Sequence, residues 1–146
     1  MSARKPAHKY LEILIGTWNT TGEIKATEIA PPMTLLATDT YEWLPGGFFV
    51  LHRVDARMGE VPSRNIEIIG YDAESGDYVT RSYDDHGGSD EFKASLKKRR
   101  WSIDGEAARF RGSFNATGSA LMGKWERRNE RGAWVPWMKI KLTKSI

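Results

Sequence analysis

Between Thr17 and Thr143 the chain alternates short runs of β-branched and aromatic residues with clusters of Gly, Pro, Asn and Asp. Runs of this kind, bounded by turn residues at short spacing, predict strands joined by hairpins. The predicted strands are 17–29, 34–44, 48–57, 65–71, 78–83, 91–96, 101–103, 108–114, 119–127 and 134–143. Pro31-Pro32 stops the first, and Pro45-Gly46-Gly47, Gly59, Gly76, Gly87-Gly88, Gly105, Gly118 and Gly132 mark turns further on. Ahead of the strands, Tyr10, Leu11 and Leu14 stand at helical spacing and predict a short helix over 7–14. No helical pattern longer than two turns follows it.

About ten short strands with short connections read as an all-β fold. Greek-key sandwiches need some long crossings, and closing the sheet removes unpaired edges. The expectation is one domain over 1–146, a single antiparallel up-and-down barrel with the N-terminal helix capping one end. A barrel of that strand number is wider than side chains alone fill, so it is expected to enclose a cavity. Gly16-Thr17-Trp18 opens the first strand. Gly16 permits a sharp turn or a close approach, and the Trp18 ring is wide enough to plug a barrel floor.

Composition narrows the chemistry. The 146 residues include no cysteine, which excludes disulfides, thiolate catalysis and Cys-ligated metals. Charged residues make up 28% and the net charge is +3, with acids and bases interleaved along most of the chain. Lys97-Lys98-Arg99-Arg100 is a true basic run, but it falls between two short strands and reads as a solvated hairpin turn. Neither nucleic-acid nor membrane binding is expected. No apolar stretch is long enough to span a bilayer and no export signal is seen, so the cytoplasm is the expected compartment. No metal or other cofactor is expected: the three histidines, His8, His52 and His86, lack metal-ligand spacing. Asp84-Asp85-His86-Gly87-Gly88-Ser89-Asp90 lacks the spacing of a calcium loop and reads as a turn. Phosphate-loop and nucleophile-elbow patterns are missing, and no catalytic residue is assigned.

The third predicted strand carries the most information. One face is Phe49, Leu51, Arg53 and Asp55; the other is Phe48, Val50, His52 and Val54. If the second face looks inward, His52 is an interior imidazole, suited to acid–base chemistry or to ligating a haem. In the opposite register Arg53 and Asp55 form the interior pair, and a slip of one residue decides between them. Glu67 and Tyr71 share a face of the fourth strand, as do Arg81 and Tyr83 on the fifth. Facing inward, Arg53, Arg81, Tyr71 and Tyr83 would anchor the polar end of a ligand, with Glu67 beside them and Trp43, Phe49 and Trp125 lining the rest. Arginines inside would favour a carboxylate or phosphate headgroup. Trp101, Trp125, Trp134 and Trp137 read mainly as core, or as an exposed patch able to form a homodimer, and Pro136 suggests a bulge or a strand start.

Gly16-Thr17-Trp18 resembles the Gly-x-Trp of the calycins, the lipocalins and fatty-acid-binding proteins among them. Tyr41-Glu42-Trp43-Leu44-Pro45-Gly46-Gly47-Phe48-Phe49 and Gly123-Lys124-Trp125-Glu126 resemble the DUF1579-type bacterial lipocalin-like family of unknown function over nearly the whole chain. The resemblance implies a calycin-like barrel that binds a small apolar or amphipathic molecule. It also implies a late basic residue on the Trp18 ring, with Arg127 and Lys141 as candidates. Nitrobindins, haem-binding barrels of this size, are a related family, but their haem histidine lies near the C-terminus and the last histidine here is His86. Ligand binding is thus the expected function. The alternatives are an isomerase or hydrolase using His52 or Glu67 in the same cavity, and a haem protein with His52 or His86 as axial ligand.

Overall fold

The computed structural model describes residues 3–145. Helix α1 (Pro6–Tyr10) runs into a 3-10 turn (Leu11–Leu14), and ten strands follow. These are β1 (Gly16–Ile24), β2 (Met33–Trp43), β3 (Phe49–Met58), β4 (Val61–Asp72), β5 (Asp77–Asp84), β6 (Ser89–Lys97), β7 (Arg100–Asp104), β8 (Ala108–Phe114), β9 (Ala120–Arg128) and β10 (Trp134–Lys144). Each strand pairs antiparallel with its neighbours in sequence, and β1 pairs with β10 to close the ring. The expected up-and-down barrel and its helix are therefore present. The register between β10 and β9 shifts between Pro136 and Met138, where proline cannot serve the ladder.

The N-terminal segment closes the lower end. Tyr78 donates from its hydroxyl to the Ala7 carbonyl at 2.7 Å, and the His8 ring packs edge-on to Phe48 and Tyr71. His8 Nδ1 also accepts the Lys5 N–H, so the ring is both a cap and a wedge. Above them lies a packed floor that includes Leu11, Leu14, Trp18, Val50, Ile69 and Trp101. Trp18 donates from Nε1 to the Leu14 carbonyl at 2.8 Å, tying the floor to the 3-10 turn. The basic residue over its ring is Lys144, at 4.9 Å, rather than Arg127 or Lys141. Gly16, at φ 134°, lets the Lys144 stem pass within van der Waals reach of its backbone. Lys141 points outward beside Met122, and Arg127 lies over the Trp137 ring at the other end.

The upper end is filled differently. Ile24, Leu35 and Ala56 form a small cluster there, with Met33, Met58, Met138 and Trp137 against it. Between this cluster and the floor the inner face turns polar.

Candidate functional site

Successive residues of a strand face opposite sides of the sheet, so one buried position fixes the rest. Val50 is fully buried on β3, which sends His52 and Val54 inward and Phe49, Arg53 and Asp55 outward. On β4, buried Ile69 turns Glu67 and Tyr71 inward, and on β5 buried Thr80 turns Arg81 and Tyr83 outward. His52 and Glu67 stand directly opposite each other across β3 and β4, as do Tyr41 and His52 across β2 and β3.

The result is a compact charged layer halfway up the barrel. His52 Nε2 lies 2.7 Å from Asp39 Oδ1 and Nδ1 lies 3.0 Å from Glu67 Oε1. The Thr20 hydroxyl donates to the second oxygen of Asp39. Tyr41 stacks on the imidazole at 3.9 Å with the rings nearly parallel. Burial pulls the His52 pKa down, but the hydrogen bonds and charges of Asp39 and Glu67 outweigh it and hold the value at about 9. The ring is therefore an imidazolium donating from both nitrogens. The Tyr41 hydroxyl is driven well above the ordinary phenol range by burial and then by the Asp39 and Glu67 charges. It stays protonated. The side chains of His52, Asp39 and Glu67 keep 12%, 9% and 15% of their surface open, so the layer is reachable by water-sized molecules. The buried Thr80 hydroxyl has no hydrogen-bond partner among the described residues.

Of the expected ligand residues, Glu67, Tyr71 and Trp125 face inward together with His52. Tyr71 sits low, against His8 and Tyr78. Trp125 sits higher, among Phe92, Phe110 and Trp137. Trp43 belongs to the lower rim, where Glu12 accepts its indole N–H and Arg4 stacks on its ring. Arg53, Arg81, Tyr83 and Phe49 are on the outer wall. Arg53 pairs with Glu42 and Arg81 with Glu91, as cross-strand pairs in solvent. Phe49 covers Gly70, whose missing Cβ makes room for its ring, and Phe49, Tyr71 and Arg81 line a shallow outer groove of about 610 Å³. The anchoring arginines expected inside are thus outside, and the layer around His52 carries two carboxylates. Asp39, at the centre of the site, was not among the expected residues.

As a haem ligand, His52 would have to surrender a carboxylate, because both ring nitrogens are engaged. His86 lies on an exposed turn, 82% open, against Asp85. As a general base, His52 lacks a free lone pair in its protonated state. Among the described residues no cluster of three or more His, Cys, Asp or Glu has the geometry to hold a metal ion. No helix in the described residues is long and apolar enough to cross a membrane. The tryptophans of the last strand are partly covered: Arg109 and Arg128 stack on Trp134 at 4.3 and 4.2 Å.

Solved structures share this architecture at low identity. The chain matches Rv2717c from M. tuberculosis at 14% identity and a TM-score of 0.70, over 99% of this chain and 100% of that one. It matches the S-type phycobiliprotein lyase CPES from Guillardia theta at 11% identity and a TM-score of 0.58, over 98% and 94%. No curated protein matches the sequence. The model of DUF1579, a protein family of unknown function, matches residues 3–129, which hold every member of the charged layer. The chain is a closed ten-stranded antiparallel barrel and belongs to the DUF1579 family.

Proposed function

We propose that the barrel binds a small amphipathic molecule with its polar end against the Asp39–His52–Glu67 layer. The observation that carries this reading is the layer itself. Packed apolar residues in place of the whole trio would make a barrel core at least as stable, so packing alone does not account for a partly open charged layer. An apolar pocket with a few placed polar groups is the usual form of a small-molecule site. The upper end suits entry, because Met33, Met58 and Met138 are unbranched side chains that repack easily. One structure that shares the fold is named a phycobiliprotein lyase, which agrees with a barrel that handles other molecules.

The polar end is a hydrogen-bond donor, neutral or cationic. One imidazolium between two carboxylates leaves a negative charge inside, and both imidazolium N–H groups are already used. An acidic headgroup would meet that charge with no interior arginine from β3 or β5 to offset it.

The test is binding of dodecylamine and of dodecanoate below their micelle concentrations, read by tryptophan fluorescence and native mass spectrometry. The amine is expected to bind, to quench the Trp125 and Trp137 emission, and to bind about tenfold more weakly in Glu67→Gln. Preference for dodecanoate would overturn the assignment of the polar end. Binding of neither, with no mass retained from the purification host, would overturn the ligand-binding reading itself.

A further inference from the structure

Much of the outer wall pairs its charges across neighbouring strands. Arg53–Glu42, Arg64–Asp55, Arg81–Glu91 and Arg109–Glu126 each pair a cation with an acid on the neighbouring strand. One row across β8, β9 and β10 does not. Arg111 stands directly opposite Lys124, and Lys124 directly opposite Lys139. One row below, Arg100 faces Ser113, Ser113 faces Met122, and Met122 faces Lys141. Asp104 takes Arg111 at 2.7 Å, while Arg100, Lys124, Lys139 and Lys141 form no ion pair among the described residues. Glu23 on β1 stands directly opposite Lys139, so five cations meet two acids here and this one face carries as much positive charge as the +3 of the whole chain.

Like charges directly opposite on a sheet destabilise it. Lys97 opposite Arg100 adds another such pair beside this row. Arg100, Arg111, Lys124 and Lys139 surround a groove of about 320 Å³ whose floor is the bare backbone of Gly112 and Gly123. Neither glycine can carry a side chain, because the Phe110 ring and the neighbouring strand backbone fill the space from within. Ser102 and Ser113 add hydroxyls at its rim.

We propose that this groove binds a small phosphate-bearing anion of two or three phosphoryl groups. Strands are about 4.8 Å apart, so the long side chains of Arg111, Lys124 and Lys139 can converge from three strands on one compact anion. Arg100 and Arg111 add planar donors for bidentate contact. The volume is at the small end of ligand sites and suits a compact anion. A nucleic-acid strand needs aromatic platforms, and the large apolar residue exposed at the groove is Met122, at 52%. This site is independent of the interior one and stands if that reading fails.

The experiment is titration of inorganic tripolyphosphate into the protein at physiological salt, followed by backbone amide NMR. The Gly112 and Gly123 amides are expected to shift together and saturate. Lys139→Glu and Lys124→Glu should each weaken binding about tenfold, and Lys25→Glu, an equal charge change away from the groove, should not. Lys124→Glu should also raise the melting temperature, since it turns two repulsive pairs into attractive ones. That opposition, a more stable fold with a weaker site, is something a purely structural patch does not give. Three results would overturn the proposal: no glycine shift at millimolar anion, equal weakening by Lys25→Glu, or tighter binding of RNA or anionic vesicles than of tripolyphosphate.

Discussion

His52 carries its charge inside the barrel because Asp39 and Glu67 reach both of its nitrogens, and that has a measurable sign. Its folded pKa, about 9, lies above the ordinary 6.5. The group therefore contributes stability that is fully present below pH 6.5 and is lost as the pH rises through about 9. The loss is on the order of 3 kcal/mol. Urea melts between pH 6 and pH 10 should show it, and His52→Gln should flatten the profile while lowering stability at pH 7. If the wild-type profile is flat across that window, the imidazolium is not held as the geometry requires. Thr20 belongs to the same unit. Thr20→Val removes a donor from buried Asp39 and should cost about 1–3 kcal/mol by chemical denaturation, with the pH slope preserved.

At the scale of the strand, glycines decide where the wall can be thin. A Cβ on Gly123 would lie 2.3 Å from the Phe110 ring and 2.6 Å from the Arg111 carbonyl, the second of which cannot move aside. Gly123→Ala should destabilise by about 1–3 kcal/mol, read as a shifted denaturation midpoint. Strand number and the helical start were legible from alternation and turn residues, but which face looks inward was not. The β3–β4 hairpin shows why. Met58 pairs with Val61 across a two-residue turn, Gly59-Glu60, with Gly59 at φ 63°. Counting outward from that turn places His52 opposite Glu67. Pro62 hid it, because a proline so close to a glycine reads as loop; it is in fact paired with Arg57 near the start of β4, where a ladder donor is least missed. Asp39 left a fainter trace. It shares the parity of Leu35, Tyr41 and Trp43 on β2, and an aspartate amid a strand's apolar face is rare enough to mark a site. Arg53 and Arg81 misled because alternation groups residues by face without saying which face is wet.

For the molecule as a whole, closure is an all-or-none property. Every strand has two partners, and the ring depends on β1 meeting β10 through seven consecutive residue pairs from Trp18–Lys144 to Ile24–Met138. A chain ending before Trp134 would leave β1 and β9 as long unpaired edges and strip Lys144 from Trp18. It should aggregate or remain unfolded rather than settle into a nine-stranded barrel, as gel filtration and near-ultraviolet circular dichroism would show. A compact, monomeric product with native-like aromatic signals would count against cooperative closure.

That seam sets a timetable for biosynthesis. The ribosome releases β1 first and β10 last, and the Asp39–His52–Glu67 layer lies entirely in the earlier half. Until the final strand emerges, the nascent chain can form hairpins but cannot wall off its charged interior from water. Barrel completion thus waits for β10, and through every earlier moment the open sheet is a natural client for chaperones that shield strand edges.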